Sequence, residues 1–216
     1  TMKRYLFVFA AVVLLVLALA LAIYPGLPAQ VPVHWNAAGE VDGWGPRVEV
    51  LMHSAFLLGL GLLWPVLPTV SPKRFAVEGF EATWWFSGMA VVILIGYIQC
   101  VHLWAAHQGG FAMDRAIVGG LGMFFVLAGN VMGKVRRNFW LGVRTPWTLA
   151  NDRVWYATHR LAARTMVAGG ALAVLVALAG WHGVLGIAGL VLGAIVPVVF
   201  SLVYYKRLEK AGTLEA

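Results

Sequence analysis

Residues 165–205 read TMVAGGALAVLVALAGWHGVLGIAGLVLGAIVPVVFSLVYY, and none of these side chains carries a formal charge. A bilayer core about 30 Å thick is crossed by about 20 residues of helix, so this stretch holds two crossings and has to fold back on itself. Gly180-Trp181-His182-Gly183 marks the reversal, because glycine permits the turn while Trp and His suit the membrane interface. The rest of the chain agrees: of 216 residues 61% are hydrophobic and 12% charged, a balance that soluble domains do not reach.

Working outward from that pair, four more apolar runs have the length of a span: Tyr5 to Tyr24, Val50 to Pro68, Ala82 to Ala106 and Ala116 to Met132. Pro25-Gly26 closes the first. Lys3 and Arg4 before it and Ala18-Leu19-Ala20 inside it fit a secretory leader, but the apolar run exceeds a leader's usual core, so it reads as a retained span. Lys3, Arg4, Lys73, Arg74, the cluster from Lys134 to Arg164, and Lys206, Arg207 and Lys210 fall on one side of six such helices. Arg47 and Arg115 are left on the other. Positive residues collect in cytoplasmic loops, so both termini are expected in the cytoplasm of a bacterial inner membrane. The net charge of +7 follows from the same rule and does not call for direct nucleic-acid binding.

The expectation is therefore an all-α, polytopic membrane helix bundle. A two-helix unit, residues 1–70, carries an extracellular hook at about 25–49, and a four-helix unit, 80–205, carries a cytoplasmic motif loop at 133–164; together they form one membrane domain. Glycines inside the spans, Gly189 and Gly193 among them, favour close helix approach, within a monomer before a dimer, and the oligomeric state stays open. No internal repeat and no midplane acid or base is present, which weighs against a pump or ion-coupled carrier. One cysteine, Cys100, excludes an internal disulfide, and the irregular spacing of His34, His53, His102, His107 and His182 favours isolated interfacial histidines over a metal or acid-sensing site. No metal or other cofactor is expected.

The segment GKVRRNFWLGVRTPWTLANDRVWYATHRLA, residues 133–162, stands apart. On a helical wheel from Asn151 to Arg164, the residues Arg153, Arg160 and Arg164 share a stripe with Ala157, opposite Val154, Trp155, Thr158, Leu161 and Ala162. That pattern predicts an amphipathic interfacial helix between the fourth and fifth spans, capped by Asn151 or Thr148 and held to the anionic leaflet by its arginines. Membrane lipids are thus the first expected partners. Thr145-Pro146 forces an extended or turning backbone ahead of the helix. Topology and anchoring explain the charge and the tryptophans, but not the ordered run Gly129-Asn130, Asn138, Gly142-Val143-Arg144-Thr145-Pro146-Trp147-Thr148, Trp155, His159.

In that run the chain resembles the SdpI family of bacterial integral membrane proteins. The outer loop, residues 28–45, PAQVPVHWNAAGEVDGWG, is likewise similar to the uncharacterised domain that commonly precedes the SdpI motif. Arg137 is a departure, standing before Asn138 where relatives often carry proline. The resemblance implies a non-enzymatic protein that confers immunity to a secreted antimicrobial peptide toxin and signals by retaining an ArsR-like transcriptional repressor at the membrane. It then assigns His34, Trp35, Asn36, Asp42 and Trp44 to the toxin-facing hook. Asn130, Asn138, Gly142, Arg144, Thr145, Pro146, Trp147, Arg153, Trp155 and His159 are assigned to the partner-binding motif. Two alternatives stand beside this reading. One is a transporter or flippase for a peptide or lipid; the other is an interfacial enzyme using His159 as base and Arg144 or Arg153 on phosphate, with Asp152 the only acid in reach.

Overall fold

The structure, a computed structural model, describes residues 1–36, 39–108 and 113–214, the side chain of Arg74 excepted. The expected outward loop from Ala106 to Arg115 therefore lies partly outside the described residues, as do residues 37 and 38 of the hook. The order is α1 (Met2–Ile23), β1 (Gln30–Trp35), β2 (Val41–Pro46), α2 (Met52–Leu63), α3 (Glu81–Gln108), α4 (Met113–Met132), α5 (Pro146–Ala150), α6 (Asp152–Ala179) and α7 (Gly183–Lys210). Among the described residues α1, α3, α4, α6 and α7 are long and apolar enough to cross a membrane, so the chain is a helical, multi-pass protein of the cell membrane.

Three expectations change. The fold is not all-α, for the hook, expected as an ordered, turn-rich loop, holds two strands: β1 and β2 pair antiparallel, with Val31 opposite Gly45 and Trp35 opposite Val41. The second apolar run gives an α-helix of only 12 residues, about 18 Å long. A 3-10 turn, Arg47–Leu51, precedes it and another, Leu67–Val70, follows it. Pro65 and Pro68 explain the ending, since neither has the N–H that would continue the helical ladder. The separate interfacial helix is absent: its residues form the first turns of α6, a single 28-residue helix. The wheel sorted the faces correctly, for Val154, Trp155, Thr158 and Ala162 are buried and Arg153, Arg160 and Arg164 exposed. No glycine or proline occurs from Asn151 to Ala168, so the helix has no reason to stop at Arg164.

Helix α1 buries one stripe, Tyr5, Phe9, Val16 and Ala20, and leaves Phe7 and Leu21 three-quarters exposed, as a lipid-facing helix does. Tyr5 donates a 2.6 Å hydrogen bond to Gly61 O on α2, and Trp64, just past α2, stacks on Trp84 of α3 at 4.6 Å. At the other end of α2, Gln99 of α3 donates to Val50 O. Helix α6 lies between α4 and α7 on glycine seams. A Cβ on Gly122 would stand 2.8 Å from Gly170 O, and one on Gly193 2.8 Å from Thr165 O. Where lipid removes the hydrophobic drive between helices, such approach supplies dispersion contact instead, and Thr165 adds a 2.8 Å hydrogen bond to Gly193 O. The hairpin between α6 and α7 falls at Gly180, whose φ of 71° lies in the left-handed region.

These contacts sort the molecule into two ends. One holds the start of α1, the residues joining α2 to α3, the 133–164 segment and the C-terminus, where Asn151 donates to Leu214 O at 2.6 Å. The opposite end holds the hook, the last turns of α3, the start of α4 and the α6–α7 hairpin.

Candidate functional site

At the loop end, the chain leaves α4 and must reach the start of α6 through a compact coil. Asn138, fully buried, organises that coil. Its amide nitrogen donates to Arg136 O (2.8 Å) and Leu141 O (2.9 Å), and its oxygen accepts from the amides of Trp140 and Leu141, both at 2.7 Å. All four hydrogen-bonding positions of the side chain are used. The indole of Trp140 donates to Ser71 Oγ, tying the coil to the chain between α2 and α3.

Gly142 follows with φ 110°, a conformation that resists any side chain. A Cβ there would collide with Nε2 of His159. His159 is fully buried; Nδ1–H donates to Trp155 O at 2.8 Å, and Nε2 accepts the Val143 amide at 3.0 Å. Acceptance by Nε2 fixes the neutral ring with its proton on Nδ1. The ring stacks on Trp155 at 4.0 Å, and the Trp155 indole donates to Val135 O at 2.8 Å. The first two turns of α6 thereby clamp both the exit of α4 and the middle of the coil.

Thr145 caps α5, with Pro146 at its first position. The Thr148 amide donates to Thr145 Oγ1 at 3.2 Å, and the Thr145 amide to Thr148 Oγ1 at 3.0 Å. Thr148 Oγ1 also donates to Val143 O at 2.7 Å, while Thr145 Oγ1 lies 3.1 Å from Ser201 Oγ on α7. Asn151 caps α6 through the Val154 amide. Arg137, the departure from the family pattern, forms a 3.0 Å ion pair with Asp152 and donates to Leu149 O at 3.1 Å, so its charge is met locally.

The structure thus divides the motif residues into two sets. Asn138, Gly142, Thr145, Pro146, Trp155 and His159 build the coil. Arg144 and Arg153 are exposed, with Arg136, Arg160 and Arg164, and Trp147 is half-buried on α5. Arg144 reaches back to donate to Phe139 O. Asn130 is exposed on the last turns of α4 and is not brought into the coil. With both ring nitrogens engaged and no solvent access, His159 has no free position for proton transfer, which removes the base from the interfacial-enzyme reading.

At the hook end, His34 Nδ1 lies 2.5 Å from Asp42 Oδ1 across the two strands. Asn36 closes the turn side: Oδ1 accepts the Glu40 amide at 3.0 Å and Nδ2 donates to Glu40 Oε2 at 2.9 Å. Trp44 is exposed, whereas Trp35 packs edge-on to His102 with ring centres 5.9 Å apart. His102, on α3 and nearly buried, holds the hook down by a 2.9 Å hydrogen bond to Pro32 O and shares a proton with His53 at 3.2 Å. No group of three or more His, Cys, Asp or Glu side chains suited to a metal ion occurs among the described residues.

Sequence reasoning missed Ser71 and Ser201, which hold the coil from distant elements and leave no pattern. It also missed Asp114 at the start of α4, although that residue lies between the hook and α7. It was visible as one of only nine acids in a basic chain.

The model of the SdpI/YfhL protein family matches residues 134–201, from the exit of α4 to the serine that meets Thr145. That of a domain of unknown function (DUF1648) matches residues 11–58, which contain the whole hook. The chain is similar to the immunity protein SdpI of Bacillus subtilis (strain 168), 27% identical over 192 residues that cover 88% of this chain and 90% of the relative. The resemblance carried by the two sequence motifs is borne out. No solved structure matches the chain.

Proposed function

We propose that this multi-pass membrane chain acts as an immunity protein of the SdpI kind, protecting its cell from a secreted peptide toxin. The observation that carries the reading is the similarity to an immunity protein over 88% of the chain, which includes both the hook and the motif coil. The two-ended architecture supports it. In this reading α2 with its flanking 3-10 turns is a sixth crossing, both termini and the coil are cytoplasmic, and the hook faces outward. The sharp excess of Lys and Arg at the coil end supports that orientation.

The hook, with His34, Trp35, Asn36, Asp42 and Trp44, then meets the toxin. The exposed Arg144 and Arg153, beside the half-buried Trp147, offer the cytoplasm a basic surface with an aromatic anchor, which suits an acidic patch on a repressor of the ArsR kind. Anionic headgroups neutralise the remaining arginines of α6. Expression in a toxin-sensitive host is expected to raise survival against the toxin. Unchanged killing curves, with membrane insertion verified, would overturn the proposal.

A further inference from the structure

The hook does not lie flat on the bundle. Between β1 and the facing ends of α4 and α7 is a cleft of 420 Å³, walled by Val33 and Trp35 on one side and Ile117, Leu121 and Ile187 on the other. The carboxylate of Asp114 stands in its throat. A Cβ on Gly39, in the hook turn, would lie 2.7 Å from Asp114 Oδ1, and one on Gly183, at the start of α7, 3.6 Å from Oδ2. Of the charged groups nearby, His34 is engaged with Asp42, Glu40 with Asn36, and Arg115 turns away to donate to Ala177 O from both Nε and Nη2, at 3.0 and 2.9 Å, while His182 lines a neighbouring cleft with Asp114 without an ion pair among the described residues. Asp114 has no cation among the described residues. The indole N–H of Trp35 is likewise shut from solvent with no acceptor among them.

We infer that this cleft is a binding site for an apolar peptide segment bearing one basic side chain, with Asp114 receiving the cation and the apolar walls receiving its neighbours. Asp114 is half-buried at the rim of these apolar walls, and a carboxylate so placed selects a cation more strongly than one in bulk water. This deepens the proposed function by placing toxin capture in the cleft behind β1 rather than on the exposed tip at Trp44.

The test is charge-selective labelling of the full-length chain with Cys100→Ser and Ile117→Cys, in detergent and in phospholipid nanodiscs. The probes are cationic aminoethyl and anionic sulfonatoethyl methanethiosulfonate. The cation is expected to react at least about fivefold faster, and Asp114→Asn to bring the ratio to about one. A ratio insensitive to Asp114→Asn overturns the proposal, as does a cysteine that neither reagent reaches. Labelling in detergent that vanishes in nanodiscs assigns the cleft to a lipid chain and overturns it too. In cells, Asp114→Asn is expected to lower toxin tolerance at unchanged membrane abundance while Asp114→Glu retains it; equal tolerance in all three overturns the peptide assignment. A wild-type chain without tolerance refutes the immunity reading instead, and the labelling ratio still judges the cleft.

Discussion

The coil between α4 and α6 and the space under the hook treat polar groups differently, although Trp64 Nε1, Trp84 Nε1 and Thr158 Oγ1 near the coil are also buried without partners among the described residues. In the coil between α4 and α6, Asn138 uses all four of its hydrogen-bonding positions, His159 both ring nitrogens, and Thr148 bonds to Thr145 and Val143. Under the hook, the oxygen of Gln99 and the indole N–H of Trp35 are buried without partners among the described residues, and Asp114 has no cation there. A buried polar group left unmatched costs about 1–3 kcal/mol, so a saturated region is built to hold one shape and an unsaturated one retains capacity for a ligand. The lesson is that the most patterned polar residues of the coil, Asn138, Thr148 and His159, are architecture.

Substitutions can break that contrast, and their effects on stability are expected to descend in a definite order. Gly142→Ala combines a left-handed backbone with a collision at the His159 ring, and is expected to cost about 3 kcal/mol or more, read as a lowered Tm of the detergent-solubilised protein. Asn138→Ala strands two carbonyls and two amides in the coil; a loss of about 2–4 kcal/mol is expected by the same measurement, and an unchanged Tm would show that the coil is not held from Asn138. His159→Phe keeps the stack on Trp155 but leaves the Val143 amide unmatched, for about 1–2 kcal/mol.

At the small end, Arg144→Ala and Trp147→Ala are expected to leave insertion intact and stability within about 1 kcal/mol while abolishing the proposed signalling, measured with a reporter under the repressor that the proposal calls for. A matching collapse of Tm would move both residues into the architectural set. Asp42→Asn, at an exposed pair in the hook, is expected to shift stability by less than about 1 kcal/mol. If it shifted Tm as far as Asn138→Ala does, the contrast between the ends would be lost.

Much of the bundle was legible because lipid imposes a one-dimensional rule: an apolar run of sufficient length becomes a helix. The rule misled at 50–68, where Pro65 and Pro68 shortened α2, and at 151–164, where the wheel found the right faces but not the continuity of the helix into the span. Strand pairing in the hook was hidden because Pro28, Pro32 and Pro46 and three glycines, Gly39, Gly43 and Gly45, read as turns, whereas the ladder tolerates them at the edges of a two-stranded sheet. The motif coil was recognised by residue type, but the roles within it were not. Asn138 and His159 looked like candidate partner contacts, and both are turned inward.

By itself the sequence determined the membrane class, the hairpin at Gly180, the resemblance to immunity proteins and the division of α6 into basic and apolar faces. Each of these depends on composition or on spacing along one element. Tertiary structure alone decided that Ser201 meets Thr145, that His159 closes on Val143, and that Asp114 stands behind the hook. Those pairings join residues far apart in the chain or through backbone atoms, and no periodicity records which distant atoms will be left with a partner and which without.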